Sequence, residues 1–294
     1  MLSSPIAQPG AVLRAKMAEG TVVLPGVFNA ISALSAANAG AQGLYLSGAG
    51  ITNASLGVPD VALATLTEFA QSAAAVTSIT QLPVLSDADT GFGEALNVRR
   101  TVIEMERAGL AGIHLEDQVS PKRCGHLDGK RVVETAEMTA KLRSAVASKR
   151  AASFLIVART DARGVEGLPR ALERAKAYAD AGADAIFPEG LESEAEFEAF
   201  RQAVDVPLLA NMTEFGKTPL IPASRFEDLG YSLVIFPMTA FRVMLRALDE
   251  AYAELVAEGS QAGIMNLMRT RAELYDRLGY AEYERLDKGW ASGA

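Results

Sequence analysis

The 294 residues carry 28 Lys and Arg against 36 Asp and Glu, a formal net charge of −8. An acidic chain excludes the basic field that nucleic acid or an anionic membrane surface demands, although a local cluster of Arg and Lys can still hold a small anion. One cysteine excludes a disulfide framework and a thiolate metal cage and points to a cytoplasmic compartment. The start, MLSSPIAQPGAVLRAKMAEG, lacks a basic n-region followed by an apolar run, so no secretory leader is expected. Residues 20–59 carry no charge, but Pro25, Asn29, Asn38 and Asn53 interrupt them. They read as buried strands and loops rather than as a membrane span.

One pattern then recurs along the chain: AGAQGLYL at 39–46, AGLAGIHL at 108–115, AGADAIFP at 181–188 and LGYSLVIF at 229–236. Each sets a Gly where a helix ends, because Gly tolerates the left-handed conformation there, and follows it with a short apolar run that reads as a buried strand. Eight strands are predicted: Val22–Leu24, Gly43–Leu46, Pro83–Ser86, Gly112–Leu115, Phe154–Ala158, Ala185–Phe187, Leu208–Ala210 and Ser232–Phe236. Helical patterns fall between them at Asn97–Ala108, with Val98, Val102 and Met105 on one stripe, at Leu168–Ala181 and at Glu194–Ala203. Alternating strands and helices imply a parallel sheet, and eight units imply an α/β fold of the (β/α)8 TIM-barrel type; a doubly wound sheet is the alternative. The barrel core with an N-terminal helix is assigned to 1–240. A C-terminal helical extension, 241–294, is expected as helices near 242–258, 261–278 and 280–287, exceeding what one barrel needs.

The chemistry is expected where the strands end. Those ends carry Asn29, Ser47-Gly48, Asp87 and Asp89, Glu116-Asp117, Arg159 and Asp161, Glu189, Asn211 and Thr213, and Thr239 followed by Arg242. In a barrel they converge on one face, where active sites form. Solvated loops explain one or two polar ends but poorly explain this set. Asp87-Ala88-Asp89 would place two carboxylates on one face of an extended segment, and Glu116 can join them. Hard oxygen ligands of this kind suit Mg2+ or Mn2+ with waters retained. Residues 121–130, PKRCGHLDGK, hold the only Cys and one of two His. A lone Cys is usually a small buried hydrophobe, but Cys124 stands among Lys122, Arg123 and His126, and the residues leave acid and nucleophile both open. His114 alternates with Ile113 and Leu115 and is expected as a hydrogen-bonded interior histidine. Arg159, Arg242 and Arg271 would suit a di- or tricarboxylate, although Arg271 alone reads as a solvated helix face.

SDADTGFG at 86–93, HLEDQ at 114–118, PKRCGH at 121–126, VARTDA at 157–162, FPE at 187–189 and NMTEFGKTP at 211–219 resemble the isocitrate lyase and phosphoenolpyruvate mutase superfamily. The likeness runs from about residue 10 to residue 288, and the K-R-C-G-H loop is similar to that of its carbon–carbon lyase branch. The resemblance implies cleavage of 2-methylisocitrate to pyruvate and succinate by Mg2+-assisted retro-aldol chemistry. 2,3-Dimethylmalate or another 2-hydroxy acid is the rival substrate, and a silent metabolite-binding barrel the rival class. It implies Asp87 and Asp89 at the metal with Glu116 partly through water, and Cys124 as general acid. It makes Ser47, Gly48 and Ala49 a backbone cradle, and Asp60, Gly125, Arg159, Glu189, Asn211, Met212, Thr213, Arg242 and Arg271 substrate contacts. Lys122 and His126 join the catalytic set, with Tyr45 as a candidate base. Two departures stand out: Ala49 where close relatives often have Gly, and Leu127-Asp128-Gly129 after the histidine. The implied assembly is a homotetramer exchanging C-terminal helices.

Overall fold

The protein, seen in a computed structural model, is described from residue 6 to residue 291. Its residues form two compact units that divide between Ala240 and Phe241.

The first unit opens with α1 (Pro9–Glu19) and continues as β1 (Val22–Val27), α2 (Ala30–Asn38), β2 (Leu44–Leu46), α3 (Gly48–Ile51) and a π-turn at Thr52–Leu56. Then come α4 (Leu66–Thr77), β3 (Val84–Asp87), α5 (Ala95–Arg107), β4 (Gly112–Glu116), α6 (Thr135–Ser148) and β5 (Leu155–Thr160). They are followed by α7 (Arg163–Glu166), α8 (Leu168–Asp180), β6 (Ala185–Pro188), α9 (Glu194–Ala203), β7 (Leu209–Asn211), α10 (Ala223–Asp228) and β8 (Leu233–Phe236). Each predicted strand is present, β1 and β5 running further toward their C-terminal ends. The glycines of the four repeats, Gly40, Gly109, Gly182 and Gly230, have φ of 89°, 85°, 98° and 75°, the left-handed turn that stops a helix and feeds the next strand.

All neighbouring strands are parallel, in the order β6-β5-β4-β3-β2-β1-β8-β7. A parallel bridge between Ile186 and Leu208 joins the two ends, with Ile186 N–H donating to Pro207 O at 3.0 Å. The sheet therefore closes into a TIM-type barrel, which removes the doubly wound alternative.

The period of two along each strand sorts side chains between two cores. Ile113, Ile156, Ala158, Ile186, Ala210 and Val234 face outward into the layer under the helices. There α5 lays down Val98, Val102 and Met105, the expected stripe, and α4 lays down Phe69, Ala73 and Val76. Leu24, Tyr45, Leu85, Leu155, Val157, Ala185, Phe187, Leu209, Leu233 and Ile235 face inward, and Leu13 of α1 joins them. Full burial of each large apolar side chain contributes about 1.5–3 kcal/mol. The α1 helix is pinned near the strand starts: Arg14 donates to Ser153 O at 2.9 Å and to Asp184 Oδ1 at 2.6 Å. That end of the barrel is filled, and chemistry is left to the other.

The second unit holds most of α11 (Thr239–Glu258), a 3-10 turn at Ala262–Leu267, α12 (Arg271–Leu278) and α13 (Tyr280–Ala291). The helix expected over 261–278 is thus interrupted. Thr270 starts α12 as a reciprocal cap: its Oγ1 accepts from Glu273 N–H at 3.2 Å, and Glu273 accepts from Thr270 N–H at 2.7 Å. Thr-x-x-Glu is a helix-start signal, and it outweighed the periodicity. No helix among the described residues is long and apolar enough to cross a membrane.

Candidate active site

The alternation that fills the barrel also aims its last residues. Two positions beyond the inward Leu85, His114, Val157, Phe187 and Leu209 stand Asp87, Glu116, Arg159, Glu189 and Asn211. Parallel register sets Asp87 beside His114 and Glu116 beside Arg159, so five strands deliver one polar layer at the barrel mouth.

Strand β3 ends at Asp87, and Asp89 takes a left-handed φ of 45° instead of the extended backbone expected from the sequence. The two carboxylates are therefore not simply stacked along a strand: Asp87 Oδ1 accepts the Asp89 N–H at 2.9 Å. The turn is held because Asp89 O accepts the Glu116 N–H at 3.0 Å and Ala88 N–H donates to His114 O at 3.1 Å. Holding a non-glycine residue there costs on the order of 1–2 kcal/mol, carried by the surrounding structure.

Burial drives the electrostatics. Asp89 is raised to about 7 by burial, only partly offset by Lys122. Glu116 is pushed well above the usual carboxylate range by the same cause. Both Glu116 oxygens and Asp89 Oδ1 are buried without a hydrogen bond; Arg159 Nε lies 3.3 Å from Glu116 Oε2 and Lys122 Nζ 3.1 Å from Asp89 Oδ1. The Lys122 ammonium also donates to Asp60 Oδ1 at 2.5 Å. Burial works against that ammonium, yet Asp89, Glu116, Asp87 and Asp60 together raise its pKa. Arg159 donates to Asp161 Oδ2 at 2.9 Å and stands 3.7 Å from Glu189 Oε2, its guanidinium 5.1 Å from the Phe187 ring centroid. Glu189 is held well below the carboxylate range because Arg159, His126 and Asn211 outweigh its burial.

A hard cation fits this chemistry. Six carboxylates (Asp60, Asp87, Asp89, Glu116, Asp161 and Glu189) meet only three permanent cations (Lys122, Lys130 and Arg159), and three buried oxygens lack hydrogen bonds. Among the described residues no three His, Cys, Asp or Glu side chains close on a point as a protein-only cage requires. Oxygen donors of this kind suit hard cations such as Mg2+ or Mn2+, which keep several waters.

Under this layer, Tyr45 OH and His114 Nε2 are 2.8 Å apart, with the rings stacked and Phe187 edge-on to the imidazole. His114 is the interior hydrogen-bonded residue expected; burial pushes it down to about 4, so it is neutral. Burial, and then Asp87, raise the Tyr45 phenol well above its usual pKa, which disfavours the phenolate a base requires.

The end of β2 lies against the carboxylates. Ser47 caps α3, accepting the Gly50 N–H at 3.1 Å, and a Cβ on Gly48 would stand 2.5 Å from Asp87 Oδ2, so only glycine admits this approach. Ala49 follows in the same turn. From β4 the 118–133 segment arches away and returns through a Gln118–Val132 bridge. Gln118 braces its inside, accepting from Arg123 N–H at 3.0 Å and donating to Arg123 O at 2.8 Å. Cys124 is exposed in this segment. Gly125 meets Glu189 and Arg159 so closely that a side chain would collide with both. Met212 and Thr213, after β7, are buried. Arg242 and Arg271 belong to the second unit and are exposed.

Lys130 and Arg174 were not singled out from sequence, and Asp117, expected with the strand ends at the mouth, is instead turned away from it. Lys130 bonds Asp161 Oδ1 at 2.8 Å and also Gly125 O, tying the arch to the barrel rim. Asp117 faces away from the mouth, accepting Thr160 Oγ1 at 2.7 Å, Tyr178 OH at 2.8 Å and Asp161 N–H at 2.9 Å. Arg174 completes that buried network by donating to Val133 O at 2.8 Å. The charged pattern of the 121–130 segment contained Lys130, whereas Arg174 combines near partners, Glu166 and Tyr178, with Val133 O forty-one residues back, and no local pattern marks that distant one. A cavity of about 810 Å³ between α4, α5 and α6 shares only Asp89 with these mouth carboxylates, so convergence of side chains, and not cavity size, locates the site.

A family model described as phosphoenolpyruvate phosphomutase matches residues 13–256. A 2-methylisocitrate lyase of Aeropyrum pernix is 51% identical over 284 residues, covering 96% of this chain and 91% of that protein. Among solved structures, a 2,3-dimethylmalate lyase superposes with a TM-score of 0.90 at 33% identity, covering 97% of this chain and 96% of its own. A phosphonopyruvate hydrolase complexed with oxalate and Mg2+ gives a TM-score of 0.85 at 28% identity, covering 96% and 98%.

Proposed function

The chain belongs to the phosphoenolpyruvate mutase and isocitrate lyase superfamily, among its 2-methylisocitrate lyases, and from that premise we propose that it cleaves 2-methylisocitrate to pyruvate and succinate. It is a carbon–carbon lyase, not a silent barrel. The observation that carries the proposal is a juxtaposition. Asp87 lies against the Gly48 turn, Asp89 and Glu116 beside it carry buried oxygens without hydrogen bonds, and the cysteine-bearing segment is seated on Arg159 and Glu189. The choice of 2-methylisocitrate over 2,3-dimethylmalate is supported by 51% identity to a lyase of the first acid against 33% to a lyase of the second.

On this reading Asp87 and Asp89, with Glu116 near them, would hold Mg2+, or Mn2+ as a substitute. When bound, the ion supplies Lewis acidity that lowers the pKa of the substrate hydroxyl and steadies the forming carbonyl. The turn at Ser47, Gly48 and Ala49 receives the pyruvate-side carboxylate through the Gly48 and Ala49 N–H groups, the Ser47 N–H being held by Val27 O at 3.0 Å. A general base takes the hydroxyl proton, the freed oxygen pair forms the pyruvate carbonyl as the C–C bond breaks, and the C–C electron pair passes to the succinate-side carbon. Arg159, with Glu189 and Asn211 fixing its surroundings, stabilises that spread negative charge. Cys124 then delivers a proton to the carbon. Lys122 and His126 hold the segment in place, Asp60 orients Lys122, and Gly125, Met212 and Thr213 line the substrate. Arg242 and Arg271 meet the remaining carboxylates, which a tricarboxylate needs and a dicarboxylate does not. The assembly is a cytoplasmic homotetramer with exchanged C-terminal helices.

The deciding experiment is pyruvate release from 2-methylisocitrate, isocitrate, 2,3-dimethylmalate and oxaloacetate, each with and without EDTA. EDTA-sensitive release mainly from 2-methylisocitrate is expected. Release mainly from a dicarboxylate would overturn the roles of Arg242 and Arg271 and the substrate with them.

A further inference from the structure

His126 is gripped from the loop after β7. Its Nδ1 accepts the Lys217 backbone N–H at 3.0 Å, and its Nε2 lies 2.7 Å from Glu189 Oε1. A donor aimed at Nδ1 leaves that nitrogen as the acceptor, so the side of the ring toward the Glu189 carboxylate is Nε2, a close contact that is not aligned as a hydrogen bond. Glu189 is itself fixed, accepting Asn211 Nδ2 at 3.1 and 3.2 Å. Gly216 lies flat against the same imidazole. A Cβ there would stand 2.6 Å from Nδ1, 2.9 Å from Cγ and 3.0 Å from Cε1, all inside van der Waals contact. Gly216 is not among the glycines with positive φ, so the ring, and not the backbone, demands glycine. Phe215, at φ 60°, makes the turn that brings Gly216 in, and outside it Lys217 Nζ donates to Asp128 Oδ1 at 2.6 Å. Three contacts therefore join the 122–130 segment to a loop about ninety residues further on.

We propose that Gly216 and Lys217 are positioning residues for the reaction: they seat His126 against Glu189, and through it hold the Cys124-bearing segment over the barrel mouth. The inference rests on the site reading above and adds residues that act through His126 without touching substrate. A methyl at 216 pushes the ring off Glu189 and displaces Cys124, two residues away.

The test is a double-mutant cycle of Gly216→Ala and His126→Ala, followed by steady-state pyruvate release and by the rate of iodoacetamide alkylation. Cys124 is the sole cysteine, so alkylation reports this segment alone. Gly216→Ala is expected to lower kcat about tenfold or more, to change KM less than threefold, and to speed alkylation at least threefold, with the thermal midpoint held within a few degrees. In the His126→Ala background the added methyl meets no ring, and both quantities stay within about twofold of that variant's own values. No change from Gly216→Ala, or the same loss in both backgrounds, overturns the proposal. If the wild-type chain releases pyruvate from none of the acids, the substrate reading fails, and the alkylation cycle still decides whether Gly216 seats His126.

Discussion

At the scale of single residues, the site runs on burial. A carboxyl in water is ionised near pH 4, but inside the barrel mouth the same group needs a cation or hydrogen bonds to stay charged. Glu189 has Arg159, His126 and Asn211; Glu116 has Arg159 at 3.3 Å and no hydrogen bond. That contrast separates carboxylates that organise side chains from those left to meet a cation. Asp87→Ala is expected to abolish the rise in thermal midpoint that Mg2+ gives the wild-type protein, together with EDTA-sensitive turnover; a retained Mg2+ shift would remove Asp87 from the metal site. Cys124→Ser should keep that shift and lose about 10²–10⁴-fold in turnover, the usual worth of a positioned general acid. Wild-type rates in this variant would sink the acid role. The identities of these residues were legible because strand ends declare themselves by a change from apolar to charged. The left-handed backbone of Asp89 was not, since it is imposed by bonds to β4.

At the scale of elements, helices and strands are joined behind the site by charges that never reach it. Arg174 of α8 bonds Glu166 of α7 through two nitrogens, each at 2.8 Å, and also reaches Tyr178 and Val133 O. Tyr178 in turn serves Asp117 at the end of β4. Removing one partner from such a buried network leaves the others uncompensated, so Arg174→Ala should cost about 3–5 kcal/mol in urea unfolding. A loss below about 1 kcal/mol would mean that water replaces the guanidinium there. Gly48→Ala works differently: its Cβ strikes Asp87 Oδ2, so activity should fall at least tenfold while the urea midpoint moves little. The helix α5 was readable from its apolar stripe of Val98, Val102 and Met105. The interruption at Thr270 was not, because a capping box competes with periodicity inside one local window.

For the whole molecule, the second unit leaves large apolar side chains on its surface: Val256 is 87% exposed, Trp290 74%, Leu267 70% and Val243 67%. Apolar side chains left in water on one helical unit suit burial against another chain. With the homotetramer proposed above, sedimentation should give a species of four chains, and Val243→Glu combined with Val256→Glu should shift it to lower order. A wild-type chain sedimenting as a monomer would discard that assembly.

The sequence by itself determined eight alternating strand-helix units, since each is punctuated locally by glycine, apolar run and polar end; that they close into a barrel and not a doubly wound sheet was decided by the bridge between Ile186 and Leu208. It also determined which side chains stand at the mouth, because a period of two counted back from each strand end is a local property. Only the tertiary structure decided how those side chains pair. The grip of Gly216 and Lys217 on His126, the tie from Lys130 to Asp161 and the Arg174 network join positions brought together by barrel closure. Sequence distance carries no record of such contacts until register and curvature set them face to face.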